Sequence, residues 1–434
     1  MGDDITVAMS LKTGEPEIGH RINLAPDNVK ECPLPRPRPR AAAAFMLALL
    51  VFAAANLLFS CFSTKEGSLA AIGNRTWSWW TLNDLNQLRS CPNVVLLGSS
   101  LMVAGIAECD ANYRQKNLDL AYYRDAAYLS ACLQKAFGGQ FQSLNLSAPG
   151  QMPSDAYLTL SAAIKQGLQP KIVFYGLAPR DFMDGTMQNP SESEAFQVLR
   201  HFVETDNYCF DFYVTPVGRL DWILQKCSAL YGGSFSVRRA MVDAVANAFP
   251  LAEKGEPQRV VQLYLKRRLT PLAVDPGTSF ALPTTPNTPL LDDTADYKAR
   301  YKNPAKSIYQ AQFKFLQRLA DVCKQNKIKL VLLQMPITRK NVKLLKPALY
   351  NAYNTDLQLL AERNNLPLMD LCQFEDYDQS DYKDTVHLNG YGGKKFVDNL
   401  VSHLSACAYL ADDMVAASNS HNQRALAATG GTGM

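Results

Sequence analysis

The chain is poor in charge: 19% of its 434 residues are charged, and the formal net charge is only +4. A nucleic-acid binder needs a dense basic surface, so that class is excluded. There are 10 cysteines, but no Cys-x-x-Cys pair and no Cys/His spacing of the kind that holds zinc. No metal or other cofactor is expected. Eight cysteines (Cys91, Cys109, Cys132, Cys209, Cys227, Cys323, Cys372 and Cys407) follow the first long apolar run. In an exported domain some of them would pair as disulfides; otherwise they are buried thiols. His201 and His403 lie on helical stretches and read as packed or surface residues, and His421 lies in a polar tail. What is plentiful is apolar residue, 47% of the chain. That is ample for a sizeable core, and the length implies a core plus an insertion or second unit.

Residues 1–40 are polar, without apolar period, and end in alternating Pro and Arg (Pro33 to Arg40). Such a segment is extended and solvated, a spacer or a proline-rich ligand. Ala41 to Phe62 is apolar except for Asn56 and Ser60, and its 22 residues suffice for a transmembrane helix. Lys30, Arg36, Arg38 and Arg40 precede it, while Lys65 and Glu66 follow. The positive-inside rule puts the N-terminus in the cytoplasm and the main domain outside, single-pass in the cytoplasmic membrane. The alternative, a cleaved signal peptide, requires an unusually long leader. Leu58-Phe59-Ser60-Cys61 loosely matches a lipoprotein cleavage box, but Phe59 argues against it. Residues 63–90 read as a juxtamembrane linker. Trp77, Trp79 and Trp80 fit either a membrane-interface element or ordinary packing.

Beyond residue 90 apolar runs alternate with helical stretches. Strands are expected at Val94–Gly98, Phe141–Leu146, Lys171–Gly176, Lys329–Gln334 and Leu366–Leu371. Helices are expected within 110–137, at Ser154–Gly167, near 305–326, over 343–363 and after Asn389. This alternation predicts an α/β fold: a three-layer α/β/α domain on a parallel sheet of about five strands, with one N-terminal transmembrane helix. The core comprises 91–189 and 301–411. Residues 190–300 form a helical insertion, read as a lid or substrate cap, with amphipathic stretches at Phe196–Phe202, Leu220–Leu230, Val237–Phe249 and Val260–Leu269. A Pro- and Thr-rich loop, Thr278–Thr294, follows. The basic run Lys266-Arg267-Arg268 of the insertion either faces an anionic polymer or lipid headgroups, or is a solvated helix face. Residues 412–434 have almost no periodicity and are expected to be disordered.

Two segments carry chemistry. Val94-Val95-Leu96-Leu97 leads into Gly98-Ser99-Ser100-Leu101, which sets a serine at the carboxyl edge of the sheet, where open α/β folds place their ligands. Far downstream stands Asp384-Thr385-Val386-His387. A serine needs a general base, and the base needs a partner to fix its tautomer.

Together these segments resemble the SGNH (GDSL-like) hydrolase superfamily over roughly 90–190 and 300–405. The Gly-Asp-Ser-Leu block corresponds to Gly98-Ser99-Ser100-Leu101, with Ser99 in place of Asp and Ser100 as nucleophile. The Asp-x-x-His block corresponds to Asp384 and His387. The resemblance also implies an oxyanion glycine at Gly150, in the loop Asn145-Leu146-Ser147-Ala148-Pro149-Gly150. After the third strand the family's Gly-x-Asn-Asp becomes Gly176-Leu177-Ala178-Pro179-Arg180-Asp181, and the donor Asn is missing. Arg180 either stabilises the oxyanion or forms a structural ion pair with Asp181. The oxyanion and substrate-binding candidates are thus Gly150, Arg180 and Asn145.

An anchor helix followed by an outward SGNH domain is similar to the D-alanyl transfer protein of teichoic acid synthesis (DltD-like) and to alginate O-acetylation proteins. That branch implies acyl transfer onto cell-envelope polysaccharide or another hydroxyl acceptor, with a multi-spanning membrane O-acyltransferase as partner. The alternatives are a membrane-anchored esterase and a non-catalytic envelope polymer-binding protein.

Overall fold

The structure is a computed structural model that describes residues 39–62, 69, 75–88, 91–229, 231, 274–285, 290–373 and 375–429. Chain contacts divide into two units, Met1–Ala54 and Ala55–Met434. Helix α1 spans Pro39–Phe62, as its run of strong helix formers favours. Its side chains are described over 43–58 and at 60, and Phe45, Leu47, Leu50, Val51, Leu57 and Leu58 are all exposed. Among the described residues no helix is long and apolar enough to cross a membrane. The Pro/Arg segment before α1 lies outside the described residues.

The second unit is built on five parallel strands: β1 Val94–Gly98, β2 Ser143–Asn145, β3 Ile172–Leu177, β4 Lys329–Gln334 and β5 Leu368–Asp370. Their order across the sheet is β2-β1-β3-β4-β5. Val94 to Leu97 are fully buried, because β1 has a strand on each side and helices over both faces. The edge strands β2 and β5 are shorter than their apolar runs, since an edge strand has one neighbour to pair with.

Nine further helices matter: α2 Trp77–Leu85, α3 Ser100–Arg114, α4 Ala127–Phe137, α5 Pro153–Lys165, α6 Pro216–Cys227, α7 Lys306–Gln325, α8 Pro347–Asn364, α9 Gly390–Ala406 and α10 Ala408–Thr429. The chain steps one way across the sheet from β1 to β2, then reverses to β3, β4 and β5. Right-handed crossovers in opposite directions put their helices on opposite faces. Accordingly α3 and α4 pack with α9 and α10, while α5 packs with α7. The reversal opens a crevice at the carboxyl ends of β1 and β3.

Several expectations are corrected. Residues 77–85 are not a linker: α2 packs on the domain, and the three tryptophans are drawn in by their indole N–H groups. Trp77 donates to Ser147 O (2.9 Å), Trp79 to Leu69 O (3.0 Å) and Trp80 to Val274 O (2.8 Å). The start of the insertion is core and not lid, with Phe196, Leu199 and Phe212 buried. The segments 237–249 and 260–269, with Lys266–Arg268, lie outside the described residues. The tail is helical from Ala408, where alanine-rich composition favours helix and Leu410, Met414 and Ala417 are buried at helical spacing. The eight cysteines after α1 are all free thiols.

Candidate active site

β1 ends on Gly98, whose φ of +149° is outside the range an L side chain accepts readily. A Cβ there would lie 2.9 Å from Met102 Cβ and 3.0 Å from Gly176 O. The Gly98 N–H donates to Gln151 Oε1 (2.7 Å), and its carbonyl accepts from Ala148 N–H (3.0 Å). These bonds tie the end of β1 to the loop after β2. Ser99 occupies the N-cap position of α3 with extended backbone, makes no side-chain capping bond, and is buried. Ser100 is the first residue of α3 and only partly buried. Its N–H has no intrahelical acceptor and sits at the positive end of the helix.

Asp384 and His387 lie on the turn that precedes α9. Asp384 Oδ1 accepts from the backbone N–H of Val386 (2.9 Å) and of His387 (2.7 Å). Its Oδ2 lies 2.6 Å from His387 Nδ1, and His387 Nε2 lies 2.8 Å from Ser100 Oγ. With Nδ1–H given to the carboxylate, Nε2 is left to accept the serine hydroxyl. Burial pushes the Asp384 carboxyl up, but its bonds from the His387 ring, the ring's charge and the two N–H groups outweigh this and hold it below the usual range. Asp384 is therefore an anion at neutral pH. Asn389 fixes the turn by capping α9, accepting from Tyr391 and Gly392 N–H.

The two segments, 287 positions apart, are joined by direct packing of α3 on α9. A Cβ on Gly393 would lie 2.2 Å from the carbonyl oxygen of Gly105. The helices approach that closely because Gly393 has no side chain to meet the backbone of Gly105.

Gly150 takes φ +79°, and a Cβ there would lie 3.4 Å from Arg180 Nη2. The Arg180 guanidinium thus backs the oxyanion-candidate glycine. It is also engaged in ion pairs: Nη2 lies 2.9 Å from Asp184 Oδ2 and Nη1 3.6 Å from Asp181 Oδ1, and Asp184 binds Arg300 as well. Burial pushes the Asp181 carboxyl up to about 6, against the pull of Arg180. Asn145 closes the end of β2, its Oδ1 accepting from Ser147 N–H at 3.1 Å. The sequence analysis missed Asp184, Arg300 and Asp293. Arg180-x-x-x-Asp184 was visible as helical ion-pair spacing; nothing local pointed to the other two.

Donor atoms of Asp293, Asp384 and His387 lie within 4.8 Å of one another. Both His387 nitrogens are already engaged, with Asp384 and Ser100, so ligation of a metal would dismantle the array. The donors fit proton transfer better.

A family model described as "Protein of unknown function (DUF1574)" matches residues 124–404. That range contains Gly150, Arg180, Asp384 and His387 and begins downstream of Ser100. No curated protein matches. Among solved structures, three similar ones each give a TM-score of 0.32. A proposed acylhydrolase of Bacteroides fragilis NCTC 9343 is 11% identical, covering 74% of this chain and 94% of that one. The acetyl xylan esterase AlAXEase is 13% identical, covering 72% and 98%. LAE5, an alpha/beta hydrolase enzyme from the metagenome of Lake Arreo, Spain, is 13% identical, covering 74% and 97%.

Proposed function

We propose that this chain, which belongs to the DUF1574 family of proteins of unknown function, is a serine-dependent acyl-transfer enzyme of SGNH type. The observation that carries the reading is the unbroken Asp384–His387–Ser100 array, with separations of 2.6 and 2.8 Å. Both lie in the hydrogen-bond range that proton transfer requires. Ser100 Oγ attacks an ester carbonyl and passes its proton to His387 Nε2. The imidazolium is stabilised by the Asp384 carboxylate. The oxyanion is met by N–H groups of Ser100 and Gly150, with the positive ends of α3 and of Arg180 behind them. His387 then protonates the leaving alcohol, and Ser100 is left acylated. Water or a second hydroxyl, deprotonated by the same imidazole, attacks the acyl-enzyme and frees the serine.

In this reading the apolar sequence run Ala41–Phe62 serves as a membrane anchor, the domain lies outside the cytoplasmic membrane, and the acceptor is a hydroxyl of a cell-envelope polysaccharide. A DltD-like placement and a multi-spanning O-acyltransferase partner belong to the same proposal. If water is the only acceptor, the protein is an anchored esterase.

One observation favours a second reading, a polymer-binding protein without catalysis. Ala178 stands where the resemblance calls for a donor Asn, and Arg180 is held by Asp184. Fluorophosphonate labelling and p-nitrophenyl acetate turnover decide between them. Wild type is expected to label and turn over while Ser100→Ala does neither. A wild type that does neither overturns the enzymatic reading.

A further inference from the structure

We infer that Asp293 is a positioning residue of this site, holding the Asp384–His387 turn in register with Ser100; the inference rests on the acyl-transfer reading above. Asp293 stands at the end of the insertion, immediately before the helix Thr294–Tyr301. Its Oδ1 accepts both the backbone N–H (3.2 Å) and the hydroxyl of Thr385. Thr385 lies between the triad acid and the triad base and is fully buried. Two residues earlier the same pair of segments is joined again, Leu291 N–H donating to Lys383 O at 2.8 Å.

The opposite side of Thr385 is held by the segment after β4. Thr338 donates to Thr385 O through its N–H (3.2 Å) and its hydroxyl (2.7 Å). Asn341 Nδ2 donates to Thr385 Oγ1 (3.1 Å), and Asn341 Oδ1 accepts from the Tyr301 hydroxyl (3.2 Å). Every polar atom of Thr385 is therefore bonded, and Asp293 alone accepts from its N–H and its hydroxyl. A charged acceptor makes both bonds stronger than a neutral one would. Without it, a buried N–H and hydroxyl lose their partner next to the catalytic pair, and relaxing them moves Asp384 or His387. Asp293 acts through Thr385, so its loss weakens the chemical step and leaves substrate binding largely intact.

The test uses the full-length protein, with p-nitrophenyl acetate kinetics, thermal midpoints and the downfield proton of the His387 Nδ1–H···Asp384 bond, assigned by its absence in His387→Gln. Asp293→Ala is expected to lower kcat by about 10- to 100-fold, as misplacement of reacting groups does, with KM little changed. Asp293→Asn keeps an acceptor oxygen and is expected to restore most of kcat. Thr385→Val combined with Asp293→Ala is expected to cost no more than the worse of the two alone. The downfield proton is expected to shift or broaden in Asp293→Ala and to return in Asp293→Asn. It also reports on the turn if wild type proves inactive, which separates this inference from the enzymatic reading. Unchanged kcat and proton signal in Asp293→Ala, no recovery in Asp293→Asn, or multiplying losses in the double variant would each overturn it.

Discussion

Gly393→Ala adds one methyl group at the crossing of α3 and α9, the contact that brings Ser100 and His387 together. The new Cβ would lie 2.2 Å from Gly105 O and 3.1 Å from Cys109 Cβ. Relaxed carbon contacts begin near ~3.5 Å, so the helices must part by about 1 Å. The obstructing atom is backbone and cannot swing away. Overpacking of this kind costs about 1–3 kcal/mol, and a rigid obstacle favours the upper end. At about 2–4 °C per kcal/mol for a domain of this size, the thermal midpoint should fall by roughly 5–10 °C. Ser100 Oγ and His387 Nε2, now 2.8 Å apart, would be drawn beyond hydrogen-bond reach, and labelling of Ser100 should slow about 100-fold. Gly105→Ala is the matched control on the same interface. There the added Cβ would meet only Leu388 Cδ1 and Phe396 Cδ1, each at 3.8 Å. An alanine inside a helix should then stabilise by about 0.5–1 kcal/mol and leave labelling unchanged. Melting followed by circular dichroism and the rate of fluorophosphonate labelling measure both effects. If the two variants match in midpoint and labelling rate, the close crossing does not set the site, and the reasoning fails.

Asp384→Asn should slow p-nitrophenyl acetate turnover by roughly 1,000-fold: a unit charge at about 4 Å in an effective dielectric near 20 is worth about 4 kcal/mol to the imidazolium. A loss below tenfold would refute the triad acid. A different pH effect is expected at Asp155, whose carboxyl burial pushes up to about 7. A carboxyl raised on folding binds its proton more tightly in the native state, so the contribution of Asp155 to stability is fully present below pH ~4 and is lost as pH rises towards ~7, by roughly 4 kcal/mol in all. Asp155→Asn should flatten that fall in denaturant titrations between pH 5 and 8; an unchanged slope would show that the carboxyl ionises freely.

The sheet was legible because its central strands are apolar at every position. Val94 to Leu97 cannot be a solvated loop, and Gly98 marks the turn. The Asp384-x-x-His387 spacing was legible because one turn of chain suffices to bring those side chains together. What brings Ser100 to His387 was not, since the Gly105–Gly393 crossing matters through the absence of atoms. Arg180 was read as an oxyanion donor or a partner of Asp181. Its closer partner, Asp184, is shared with Arg300, which no local pattern connects to it. The tail misled because Leu410, Met414 and Ala417 are widely spaced among small residues. Their stripe gains meaning only once a surface exists to receive it. The tryptophan cluster left two readings open, a membrane-interface element or ordinary packing; the structure takes the second, since the three indole N–H groups each answer a particular carbonyl of the domain.

α10 meets the sheet at the amino edge, remote from the crevice. Its Ala417 carbonyl accepts from Asn93 Nδ2 (3.3 Å), the same amide that donates to Gln140 O (2.9 Å), and Asp413 pairs with Lys329 at the start of β4 (2.9 Å). Asn93 immediately precedes β1, so this helix grips the root of the strand whose tip presents Ser100. Peeling it away would loosen Ser100 from behind while touching none of the residues around it. On the acyl-transfer proposal, damage at the far end of the sheet would register as lost turnover, with Ser100, Asp384 and His387 all still in place in the sequence.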